Sequence, residues 1–350
     1  MPVPLPHTRL LRASLRRLAP YIPLAAYRRL MPRNPIGFFY HAISDTPLPH
    51  LYHLYPAKTA TEFEQDLRWL KQHYTLLDYP ALLNLANQPT NQQPPSAFLS
   101  FDDGFTECYT VARPLLRKHR VPCLFFLATD WIDNQSMYYR GKMSLILEKL
   151  HSLAPASQTE TLQRLAPLSI QNSQFPIHNF QSFSAWLLAH QQSAEPLIDQ
   201  ICEALELDIP GYLRAHQPFL TRAQIREMQA EGFVFGAHTR RHPKLNTLSQ
   251  DEQAAEIVES CRIVCEITGQ DQVPFAFPFS GNGVDRDFLA RLRAEHPHLG
   301  LIFDTQKLRR DRPFIFHRIW ADKPLPPIPP SKNLAHWLHE AYVREIRSEK

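Results

Sequence analysis

Cysteine is scarce in this chain of 350 residues, with Cys108, Cys123, Cys202, Cys261 and Cys265 making an odd number and no C-x-x-C pair. A disulfide framework is therefore not expected, and a reducing compartment is. Cys261 and Cys265 share a helix face, where apolar packing is their expected role. No run of about 18 apolar residues exists to span a bilayer. The hydrophobic fraction of 44% still suffices for a large buried core, as expected of a soluble globular chain. No acidic residue precedes Asp45, whereas Arg9, Arg12, Arg16, Arg17, Arg28, Arg29 and Arg33 all do. A helix capped by Thr8 places Leu11, Leu15 and Leu18 opposite Arg9, Arg12 and Arg16, and Pro20 ends it. Such a leader is either a basic anchor on an anionic membrane or an arginine-solvated helix packed on the domain. The arginines and Pro20 interrupt any apolar signal region, so a cytoplasmic location, peripheral at the inner membrane face, is expected. These arginines lack interleaved aromatics and a reading helix, which argues against nucleic acid. There is no internal repeat.

Carboxylates and imidazoles are present in two informative places. Asp102 and Asp103 follow the apolar run Ser96 to Phe101, which reads as a buried strand, and Gly104 lets the chain turn behind them. Neighbouring strand residues point to opposite sides, so the two aspartates have different tasks: one binds a metal while the other holds a proton. His238 and His242 are four apart, and on a helical turn their Cβ atoms stand roughly 5–6 Å from one another, close enough to share an ion. Taken singly each half has a plainer reading, because D-D-G is a common turn and 17 histidines produce such spacings by chance. Both halves, however, end apolar runs where an α/β fold places its ligands. Together they hold the ligands of a divalent metal and a spare base, which is the inventory of a hydrolase.

The rest of the chain reads as strand and helix in alternation, the mark of a parallel sheet. Ile36 to Tyr40 is a strand, Glu62 to His73 an amphipathic helix, Tyr109 to His119 a helix and Pro122 to Ala128 a strand. From Trp131 to Leu220 the pattern becomes helical, as in Met143 to Leu150 and Ala185 to His190, and suggests an insertion over the catalytic face. Alternation resumes with a helix capped by Thr221 and running to Ala230, a strand Phe233 to Ala237, and a helix through Ile267 opened by Ser249 and Glu252. Strands Val273 to Phe277 and Leu301 to Asp304 follow, with a helix Asp285 to Glu295 between them. A stiff proline-rich linker, Leu325 to Pro330, leads to a terminal helix near Leu334 to Ile346. The expected organisation is a basic leader over 1–34, one domain over 35–322 with its insertion at 131–220, and a linker and helix over 323–350.

Residues 36–320 resemble the polysaccharide deacetylase family, the NodB-like carbohydrate esterases. Ser100-Phe101-Asp102-Asp103-Gly104 matches the T-F-D-D-G motif, and His238-Thr239-Arg240-Arg241-His242 matches H-[ST]-x-x-H with the proline that often follows. Phe275-Ala276-Phe277-Pro278-Phe279-Ser280-Gly281 looks like the F-A-Y-P-F-G form of the third motif. Ala276 stands where the other form carries an arginine, so the arginine clamp on the base is expected to be absent. The resemblance implies an α/β fold, a distorted (β/α) barrel with fewer than eight strands, and metal-dependent removal of acetyl groups from N-acetylated sugars. Carried over by position, Asp103, His238 and His242 are metal ligands, with zinc the expected ion, and Asp102 is the general base. A backbone N–H near Phe279 joins the metal in holding the oxyanion. The late L-x-H motif makes His317 the general acid, with Asp304 as its partner, although Phe316-His317-Arg318-Ile319 also looks like an L-P-R-[IV] segment. His41, in another family-like run, reads as a buried residue near the sheet end.

The expected substrate is a glycan or a lipid-linked sugar met at the membrane face. A deformylase or other amidase acting on an amino sugar is one alternative. An inactive glycan-binding module of the same fold is another, favoured by the missing arginine and the poor acid motif.

Overall fold

Strands buried on both faces need helices around them, and the long apolar runs of this chain are used in that way. The computed structural model describes residues 18–31, 34–55, 57–88, 94–170, 179–323 and 333–348. The leader helix from Thr8 with Arg9, Arg12, Arg16 and Arg17, as well as Arg33 and the proline-rich linker, lies outside them.

The described residues form eight strands: β1 (Ile36–Tyr40), β2 (Thr75–Leu76), β3 (Ser96–Phe101), β4 (Leu124–Leu127), β5 (Val234–Ala237), β6 (Val273–Ala276), β7 (Leu299–Asp304) and β8 (Ile315–Trp320). All pairings are parallel, and β1 pairs with both β3 and β8, so the sheet closes. The short β2 hangs on the side of β3, which leaves seven strands in a closed barrel wrapped by helices. The distorted (β/α) barrel expected from the sequence is the fold observed.

Alternation along each strand sorts side chains between two cores. Phe98, Leu124, Phe126, Ala276, Leu301 and Phe303 fill the barrel. Leu99, Phe125, Phe235, Phe275, Ile302 and Ile319 face the surrounding helices. On β8, Phe316 joins the inner set, whereas Ile315 and Ile319 belong to the outer one. Arg318 therefore enters the barrel, and His317 is turned away from it.

The helices follow local signals closely. Thr59 and Glu62 form a capping box for Ala60–His73, Thr221 and Gln224 for Arg222–Ala230, and Ser249 and Glu252 for Gln250–Thr268. Five of the helices between β4 and β5, at Tyr139–His151, Pro155–Ile170, Phe180–Ala189, Glu195–Ala204 and Ile209–His216, share their own core around Met143, Leu147, Phe183 and Ile201. A smaller cluster with Phe105, Trp131, Tyr138 and Phe219 joins them to the end of the barrel where the strands finish. Cys261 packs in the outer core, as expected, and all five cysteines are free.

Candidate active site

The inward-facing parity of each strand continues one or two residues past its end, and these positions build a pocket. His41 follows β1, Asp102 and Asp103 follow β3, His238 follows β5, Thr305 follows β7 and Trp320 ends β8; all line one cavity of about 260 Å³. Phe39, Leu54, Tyr55, Tyr138 and Phe279 supply its apolar wall. Asp103 takes a left-handed backbone with φ 72°, and Gly104 follows at φ 77°, so the chain folds back at once and Asp103 also turns inward.

Asp103, His238 and His242 come together with their ligand atoms within 4.8 Å of one another. Asp103 Oδ1 lies 3.3 Å from His242 Nε2 and 3.6 Å from His238 Nε2. The two histidines are not on a helical turn. They sit on a loop in which Thr239 and His242 adopt φ 65° and 61°, and the Thr239 hydroxyl accepts from the His242 N–H at 3.0 Å. Non-glycine residues in this conformation carry strain that clusters at functional sites.

A divalent cation fits this group. Asp103 Oδ1 is buried without a hydrogen-bond partner. His238 Nδ1 donates to the Ala276 carbonyl at 2.9 Å, which leaves the lone pair of Nε2 facing the carboxylate. Burial holds His238 down to about 4, against the pull of the Asp102 and Asp103 charges, so the ring is neutral at physiological pH. Burial opposes ionisation of Asp103, yet the imidazoles of His242, His41 and His238 keep its carboxyl well below the usual range.

Asp102 has a different environment, as adjacent residues should. Arg318 grips it with both arms, Nη1 to Oδ1 at 2.6 Å and Nη2 to Oδ2 at 3.0 Å, and Nη1 also reaches the Ser100 hydroxyl at 2.8 Å. The guanidinium is fully buried between the rings of Phe39 and Phe126. Room for it comes from Gly37, where a Cβ would stand 2.8 Å from Arg318 Cγ and 2.6 Å from the His317 carbonyl. The expected absence of an arginine clamp is thus corrected: β8 supplies the arginine that β6 lacks at Ala276. Within the F-H-R-I segment it is the arginine, not the histidine beside it, that reaches Asp102.

His317 is the second correction. Its ring lies on the outer face of β8, bonded through Nε2 to Asp311 at 3.2 Å, and it does not line the pocket. Asp304 binds the Gly281 N–H and Arg286 instead of this histidine. Besides His238 and His242, the histidine that lines the pocket is His41. Asp322 accepts from its backbone N–H at 2.6 Å and sits 3.2 Å from Nδ1, which leaves Nε2 as the available ring nitrogen. Burial alone would lower this imidazole, but the Asp322 carboxylate, helped by Asp103 and Asp102, raises it to about 9. The Trp320 indole N–H also binds Asp322.

Phe279 lines the pocket with its ring 4.8 Å from that of His242. It adopts φ 56°, its carbonyl is held by the Thr305 hydroxyl, and its N–H makes no hydrogen bond among the described residues.

A family model described as polysaccharide deacetylase matches residues 90–295. Among solved structures, a deacetylase PplD from Streptococcus pyogenes in complex with acetate superposes with a TM-score of 0.51 at 18% identity, over 87% of this chain and 97% of that one. IcaB from Ammonifex degensii gives a TM-score of 0.51 at 15% identity, over 88% of this chain and 97% of that one. At such identities the likeness is one of fold. No curated protein matches the chain.

Proposed function

The chain belongs to the polysaccharide deacetylase family, hydrolases of amide C–N bonds, and from that premise we propose that it removes the acetyl group of an N-acetylated sugar or glycan with the help of a divalent cation, zinc, held by Asp103, His238 and His242. The observation that carries this reading is the meeting of those three side chains beside an aspartate gripped by arginine. Two imidazoles and one carboxylate form a donor set that suits zinc.

When bound, the cation polarises the amide carbonyl and makes water a better nucleophile. Asp102 takes the proton of the attacking water, while Arg318 balances its charge and fixes the plane of its carboxylate. The Phe279 N–H donates to the oxygen that becomes negative in the tetrahedral intermediate. His41, protonated at neutral pH and steadied by Asp322, passes a proton from Nε2 to the departing nitrogen. The missing arginine and the poor acid motif favour an inactive glycan-binding module, and in the present reading Arg318 and His41 take those two roles.

Three measurements test the reading. Chelation should abolish acetate release and zinc should restore it. Asp102→Asn should keep the metal and lose turnover, whereas a mere binder would be indifferent. Assaying acetate against formate from a glycan panel separates a deacetylase from a deformylase. We also read the basic segment ahead of Asp45 as a contact that brings the enzyme to a lipid-linked sugar at the cytoplasmic membrane face. Equal liposome binding by the full chain and by one lacking residues 1–34 removes that part.

A further inference from the structure

The pocket that holds Asp103, His238 and His242 is also lined by a guanidinium whose one hydrogen-bond partner is the neutral Tyr139 phenol, and by two phenols without partners, Tyr55 and Tyr138, among the described residues. Arg140 lines the cavity, and among the described residues no carboxylate pairs with it. Lys142, two residues on, shows the ordinary alternative by pairing with both Glu195 and Asp199. Among the described residues the carboxylates lining the pocket are Asp102 and Asp103, one held by Arg318 and the other facing the two imidazoles. Tyr138 is 5% exposed, and its hydroxyl lacks a partner. The Tyr55 hydroxyl is likewise buried and unpartnered, and both phenols feel the Arg140 charge.

The placement of Arg140 breaks a local rule. It is the second residue of the helix Tyr139–His151, whose first turn has no acidic residue and whose N-cap, Tyr138, makes no side-chain cap. A cation there opposes the helix dipole, and an anion is what a helix start attracts. A position that departs from local preference without structural compensation is where function is expected. A negatively charged ligand satisfies the guanidinium, both phenols and the helix start together.

We propose that Arg140, with the hydroxyls of Tyr55 and Tyr138, binds an acidic group carried by the substrate, a phosphate or a carboxylate, next to the N-acyl group that is cleaved. The inference rests on the deacetylase reading and narrows its substrate to an anionic N-acylated sugar. Charge recognition of this kind acts on binding, so it belongs to KM more than to kcat.

The test uses the full-length, zinc-loaded protein and three sugars: N-acetylglucosamine, its 1-phosphate and its 3-O-lactyl ether, which carries a carboxylate. One acidic sugar should exceed the neutral one in kcat/KM by about tenfold or more, through KM and less so in high salt; which of the two does so identifies the acidic group. In Arg140→Gln that ratio should collapse towards one, and Arg140→Lys should restore part of it. Calorimetric binding of glucosamine 1-phosphate and of the deacetylated lactyl ether to wild type and Arg140→Gln gives a readout free of turnover, with unfolding curves confirming that both variants fold. Equal handling of neutral and acidic sugars, or an Arg140→Gln effect that weakens all three alike, overturns the proposal while leaving a deacetylase. Binding that depends on Arg140 without acyl release from any sugar would sink the deacetylase reading and keep the anion site. Neither binding nor release would end both.

Discussion

Two histidines, one just past β1 and one within the neighbouring β8, each meet a carboxylate, and they differ in almost everything else. His41 follows β1, faces the pocket and is raised to about 9, because Asp322 grips its backbone and its ring and outweighs burial. His317 sits on β8, faces outward and is lowered, because burial outweighs the attraction of Asp304 and Asp311. The difference lies in who else claims the carboxylates. Arg286 takes Asp304 at 2.8 Å and Asp311 at 3.0 Å, so little of their charge is left for His317. A histidine beside an acid is thus a proton carrier only where the acid has no stronger partner and the ring has access to substrate.

The sharpest way to test that contrast is through Arg318, which divides the inner face of β8 from the outer. Arg318→Met should cost about 3–5 kcal/mol of stability in denaturant titration, since it leaves Asp102 buried and unpaired. A loss below about 1 kcal/mol would mean that the pair is not buried as described. Next comes His41→Gln, which should lower kcat by about 10²–10⁴-fold while metal content holds. If His317→Gln lowered kcat as much, the assignment of inside and outside would be wrong.

A smaller effect is expected from Asp322→Asn on the pH profile. Activity needs the His41 imidazolium, so kcat/KM should fall as pH rises through the value of that group, at or below about 9 because a bound cation pushes it down. Without the carboxylate, burial dominates, and the alkaline limb should move to lower pH by about one unit or more. The same shift has a stability consequence: the His41–Asp322 contribution is complete below the unfolded value of about 6.5 and is lost as pH rises through about 9. Thermal unfolding of wild type and Asp322→Asn should therefore converge over that range, and parallel curves would remove the linkage. The smallest change is expected from His317→Gln, within about twofold in kcat and no more than about 1–2 kcal/mol in stability, the scale of one lost hydrogen bond.

Much of the fold was legible. The apolar runs at Ile36 to Tyr40 and Ser96 to Phe101 became β1 and β3 to the residue, and the capping box at Ser249 and Glu252 opened its helix as expected. The convergence of Asp103, His238 and His242, a group that could hold a metal ion, was legible as well, though its backbone was not: His238 and His242 converge through two left-handed residues rather than a helical turn. Arg318 and His41 were visible in family-like runs, but their partners Asp102 and Asp322 lie 216 and 281 residues away. Nothing local announces such a pairing.

By itself the sequence marked β1 and β3 to β7, though neither β2 nor β8, and showed where the acidic doublet and the imidazoles sit and that they can serve a cation. Only the closed barrel decided which residues look inward. The reason is physical: strands covered on both faces carry apolar residues on both sides, as Ile315, Phe316, Ile319 and Trp320 do, so they show no alternation from which to tell His317 from Arg318. Closure of β8 against β1, with Gly37 opposite Arg318, settled that parity. It turned the arginine onto the base and the neighbouring histidine to the outside.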